Sequence, residues 1–98
     1  MKDDNYIRVI AKQIEETLGS GSMPKMGGEE LFDSYALLAL SKGVEVTDED
    51  VHDAWSTWAT IYEPKSKFLV PFNELAEEVK KEDSRYTKAI QTVAKTLS

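Results

Sequence analysis

The chain contains no cysteine. Disulfides, thiolate nucleophiles and cysteine-based zinc sites are therefore excluded. Long apolar runs are missing as well, and none approaches the roughly 18 residues that span a bilayer. The start, Met1-Lys2-Asp3-Asp4-Asn5, is polar and acidic and does not read as a secretory signal. A cytoplasmic protein is the simplest expectation. There is one histidine, His52. Any Ser-His pair would have to use it, and its surroundings supply neither a nucleophile elbow nor an oxyanion loop. No catalytic residues and no enzyme activity are expected. Basic charge is scarce over the first 60 residues, which carry 5 Lys/Arg against 12 Asp/Glu; the remainder carries 7 against 6. That balance disfavours binding to long nucleic acid, whose affinity comes largely from phosphate neutralisation. A local basic pocket for a small anion stays open.

What is present suits one domain. Ninety-eight residues, 41% of them hydrophobic, can bury one modest core. Tyr6 or Ile7, Ile10, Ile14 and Leu18 recur every three or four residues, predicting a helix from about Asp4 to Leu18, capped by Asp3 or Asp4. Residues 19–28, rich in Gly and Ser and containing Pro24, read as a loop. They lack the Gly-Lys-Ser/Thr ending of a phosphate-binding loop. A second helix is predicted over about Glu29–Lys42. Its apolar residues occupy two neighbouring stripes, Leu31-Tyr35-Leu38 and Phe32-Ala36-Ala39, as in a central helix, and Gly43 supplies a left-handed cap.

Thr47-Asp48-Glu49-Asp50 is an N-cap followed by an acidic first turn, opening a third helix to about Tyr62, before Pro64. Lys65–Val70 reads as extended. Asn73 is expected to cap a fourth helix, Glu74–Glu82, and Asp83 or Ser84 a fifth, Arg85–Leu97. The steps of three and four through Leu75, Val79, Glu82, Tyr86, Ile90, Val93 and Leu97 leave open that the two are continuous. The expected architecture is all-α, a compact single-domain bundle of four to five helices.

Two features carry possible chemistry. Asp48, Glu49, Asp50 and Asp53 are dense but lack the alternation and glycine of a calcium loop, so no metal is expected. Val51, Trp55, Trp58 and Tyr62 form an aromatic-rich stripe, with Lys65 and Lys67 close behind. Aromatics bury large areas in cores; they also stack nucleobases for about 1–3 kcal/mol each. Arg85 and Lys88 add cations if the last helix packs on the third. Rings for a base and cations for its phosphates are the minimum equipment of a nucleotide site. His52 itself reads as a buried helix residue making one hydrogen bond, or as a ligand contact.

One resemblance bears on function. The His52-x-x-Trp55 helix, then Leu69-Val70-Pro71-Phe72-x-Glu74-Leu75, then Lys81-Glu82 and Arg85 before a closing helix resemble the RyR-like (ryanodine-receptor repeat) domain in its small stand-alone phage form. The match covers about residues 48–97, with helix 4–18 and loop 19–28 appended. The family's Gly-Trp and Tyr-Gly segment is absent, and Ser66-Lys67 stands where it has His-Pro. The resemblance implies a phage protein that sequesters a cyclic di- or oligonucleotide immune signal without cleaving it and so antagonises CBASS-type antiphage defence in the infected cell's cytosol. Its ligand contacts would be His52, Trp55, Trp58, Tyr62, Lys65, Lys67, Arg85 and Lys88, without a further cofactor. A chain this short has little concavity, so a homo-oligomer, dimer or tetramer, is expected. The competing expectation is a protein-interaction module that inhibits a host protein through the aromatic stripe.

Overall fold

The computed structural model describes residues 5–19 and 21–97, and among these it is all-α. Four helices run in chain order: α1 (Tyr6–Leu18), α2 (Gly28–Ser41), α3 (Asp48–Tyr62) and α4 (Glu77–Leu97). Short 3-10 turns at Gly43–Glu45 and Phe72–Glu74 lead into α3 and towards α4. Among the described residues no helix is long and apolar enough to cross a membrane.

Local signals explain most boundaries. Asn5 caps α1, its side chain accepting from the Arg8 amide at 2.9 Å. The expected caps Asp3 and Asp4 lie outside the described residues. Thr47 and Asp50 close a reciprocal capping box on α3: the Asp50 amide donates to Thr47 Oγ1 at 3.1 Å, and the Thr47 amide to Asp50 Oδ2 at 2.9 Å. Lys42 reaches the same carboxylate at 3.0 Å. Burial alone would raise the Asp50 pKa, but the bonds from Thr47 and the Lys42 ammonium outweigh it and hold the group below its usual value.

Of the two alternatives for residues 74–97, the continuous one holds: a single helix runs from Glu77 to Leu97, starting later than Glu74. Residues 72–74 turn as 3-10, with the Glu74 amide bonded to the Pro71 carbonyl at 2.9 Å, so Asn73 caps nothing. Leu75 is extended and buried. From Glu77 onward no glycine or proline interrupts the chain, and Asp83 and Ser84 lie inside α4 rather than capping it. The Ser84 hydroxyl instead donates to Asp48 Oδ2 at 3.0 Å, tying α4 to the first turn of α3.

One core joins all four helices: Ile10 and Ile14 from α1, Phe32, Tyr35 and Ala36 from α2, Val51 and Ala59 from α3, and Ile90 and Val93 from α4. The α2 helix packs on each of the other three, as its broad apolar surface requires. This arrangement sets the N-terminal half of α4 against α3, with loop 63–76 beside them.

Candidate functional site

A cleft of about 470 Å³ opens where α3, α4 and loop 63–76 meet. That is within the range of roughly 300–1,000 Å³ typical of small-molecule sites. His52 and Trp55 of α3 line it, with Phe68 of the loop and Val79 and Tyr86 of α4. Its remaining lining is acidic: Glu78, Glu82 and Asp83. These α4 positions share a face because steps of three and four return to the same side of a helix.

His52 holds the loop in place. Its ring is 2% exposed, stacks on Trp55 at 5.7 Å between centroids and lies 6.2 Å from the Phe72 ring. Nε2 lies 2.7 Å from the Val70 carbonyl oxygen. A carbonyl only accepts, so Nε2 carries the proton and donates. That assignment removes Nε2 as a base for Ser56, whose Oγ is 3.4 Å away. Nδ1 faces Asp83 Oδ2 at 3.7 Å, and that oxygen is buried without a hydrogen-bond partner. Burial pushes the Asp83 carboxyl up to about 6; His52 pulls the other way, and Asp48 and Glu82 push it further up.

A pH effect on stability follows. Asp83 is more easily protonated in the fold than in the unfolded chain, where an aspartate titrates near 3.9. Its contribution is therefore fully present below about 4 and is lost as pH rises through about 6. Asp83→Asn is expected to raise the melting temperature at pH 7.5 and to shrink the gain on going to pH 5. After allowance for solvent screening, the effect is about 1–2 kcal/mol. Thermal melts of both proteins at the two pH values check this; parallel shifts would refute it.

The aromatic stripe of α3 does not make one platform. Trp55, half-buried, belongs to the cleft. Trp58 is 6% exposed and donates from Nε1 to the Gly27 carbonyl at 2.9 Å. Tyr62 stacks on Trp58 at 5.4 Å, with its hydroxyl bonded to Glu30. That bond holds the Tyr62 phenol above its usual pKa. Among the described residues no ring contact joins Trp55 to Trp58. Trp58 and Tyr62 thus clamp the segment before α2, and the interior Trp58 ring has no face left for a base.

The predicted cations also divide. The Lys67 ammonium sits 5.4 Å from the Phe68 ring centre and the Arg85 guanidinium 5.8 Å from that of Tyr86, so both stand beside cleft residues. Arg85 also pairs with Glu82 at 3.1 Å. Lys65 and Lys88 are exposed and do not line the cleft. Of the eight residues singled out from sequence, His52 and Trp55 line the cleft and Lys67 and Arg85 flank it. The sequence reading missed Phe68, Glu78, Val79, Glu82, Asp83 and Tyr86. Val79, Glu82 and Tyr86 lie on the stripe that the steps of three and four mark in the sequence; that the stripe is directed at α3 is what spacing does not tell.

Among the described residues no group of His, Asp and Glu side chains is arranged to hold a metal ion. The fold and cleft define a small helical domain with an aromatic, acid-walled recess between α3 and α4. The chain belongs to the family described as Domain of unknown function (DUF7701), whose model matches residues 5–95. No curated protein and no solved structure matches it.

Proposed function

We propose that this protein binds a cyclic di- or oligonucleotide signal in the cleft and sequesters it without cleaving it, so blunting CBASS-type antiphage defence in the host cytosol. The observation that carries the reading is the set of three rings, Trp55, Phe68 and Tyr86, with cations standing over the last two. A base stacked on such rings gains about 1–3 kcal/mol, and the charges of Lys67 and Arg85 beside them suit its phosphates. The immune role rests on the resemblance to RyR-like domains. The two sequence blocks behind that resemblance meet at this cleft, through the bond from His52 to the Val70 carbonyl.

Leu37, Leu40 and Val44 lie exposed along the outer side of α2 and the turn after it. They offer an apolar surface to a second copy, which supports the oligomer reading.

Trp55→Ala is expected to weaken binding of a cyclic dinucleotide by about 1–3 kcal/mol. Titration calorimetry on the folded variant measures this, and unchanged affinity would remove Trp55 from the site. The second reading, an interaction module that inhibits a host protein, is favoured by the three carboxylates, which suit a lysine or arginine side chain of a partner. Titrating an arginine amide beside the cyclic dinucleotides separates the two.

A further inference from the structure

Glu78 and Glu82 lie one helical turn apart on α4 and line the cleft together with Asp83. Asp83 Oδ2 is shut off from solvent with no hydrogen-bond partner, although its side chain is 16% exposed. Acidic walls repel phosphates, so an anionic ligand fits only if it turns hydrogen-bond donors inward and leaves its phosphates outside. Ionised carboxylates only accept. Guanine presents neighbouring donors, N1–H and the N2 amino group, which match the oxygens of a carboxylate. Adenine and cytosine set their amino group beside a ring-nitrogen acceptor, which a carboxylate opposes. Uracil and thymine flank their N–H with carbonyls.

We propose that the cleft selects guanine: Trp55 and Tyr86 hold the ring, and Glu78 and Glu82 accept from its donor edge, with the interior Asp83 behind them. The inference rests on the nucleotide reading above and names the base that reading leaves open. The geometry divides the labour by charge. Carboxylates face the recess, while Lys67 and Arg85 stand over Phe68 and Tyr86 at its sides, where the backbone of a seated nucleotide emerges. His52 is not free to serve as a reader, because its Nε2–H is committed to Val70 and Nδ1 is turned to Asp83.

Titration calorimetry at pH 7.5 on the full chain tests this with the cyclic dinucleotides of guanine, hypoxanthine and adenine, and with N-acetyl-arginine amide. Guanine should bind at least about tenfold tighter than adenine, with hypoxanthine, which lacks the N2 amino group, between them. Glu78 and Glu82 are exposed, so their glutamine variants should fold normally. Glu82→Gln should weaken the guanine ligand about tenfold and leave the adenine ligand within about twofold; Glu78→Gln repeats the test should Arg85 compensate. Equal affinity for guanine and adenine, still dependent on Trp55, overturns guanine selection and leaves nucleotide binding standing. Failure of every nucleotide to bind overturns both. Tighter binding of the arginine amide than of any nucleotide also overturns both, in favour of a cationic occupant.

Discussion

Replacing Trp58 with alanine is expected to cost about 3–5 kcal/mol of folding stability, enough to unfold much of a domain this size at moderate temperature. The indole is almost wholly interior and contacts the shared core. Truncation leaves a cavity, removes the stack on Tyr62, and strips the Gly27 carbonyl of its 2.9 Å donor. Trp58→Phe keeps most of the packing but loses the N–H, so it should recover much of the loss while still falling short by about 1 kcal/mol. Urea unfolding followed by circular dichroism measures both variants. An alanine variant as stable as the parent would show that the ring is not a structural clamp and would reopen its place in a ligand site.

Gly27→Ala should be the next most damaging change, at about 2–4 kcal/mol. Gly27 caps α2 in the left-handed region at φ 69°, where a side chain is strained. A Cβ there would also stand only 2.8 Å from Trp58 Nε1, and would press on the Tyr62 ring besides. Strain and collision reinforce each other, because the backbone turn is what lets the loop pass under the aromatic pair. The two substitutions should therefore be non-additive. With Trp58 already truncated, adding Gly27→Ala should cost less than it does in the parent, by about 1 kcal/mol, because the backbone strain and the Tyr62 contact remain while the Trp58 contact is gone. Unfolding curves for the parent, both single variants and the double variant complete the cycle. Simple additivity would mean that the contact with Trp58 contributes nothing.

These two residues show where sequence reading ran out. The all-α bundle was legible because amphipathic periodicity reports directly on packing: Ile10, Ile14, Ile90 and Val93 were all on expected stripes and all lie in the core. Thr47 and Asp50 announced the start of α3 through short-range chemistry. Trp58 and Trp55 sit three residues apart, and periodicity gives both the same general direction. What separates them is the partner each meets: the Gly27 segment for one, His52 and α4 for the other. That is long-range information, which spacing does not contain. The acidic wall escaped for a related reason. The steps of three and four already aligned Val79, Glu82 and Tyr86, but spacing does not say that this face meets His52 and Trp55. The Ser84 bond to Asp48, 36 residues away in sequence, is one of the long-range contacts that set their surroundings. The bond from His52 to the Val70 carbonyl, which joins α3 to loop 63–76, is long-range in the same way.

The unbroken course of α4 has a practical consequence. Its first turns form one side of the recess, and its later turns supply Ile90, Val93 and Ala94 to the interior. Rise per residue makes this a rod of about 30 Å, with no glycine or proline to let one end yield independently of the other. Whatever occupies the recess is thereby mechanically linked to the most deeply anchored part of the molecule. A compound that binds there should register as resistance to melting of the entire chain, so a heat-denaturation survey of small compounds tests whether the recess takes a ligand.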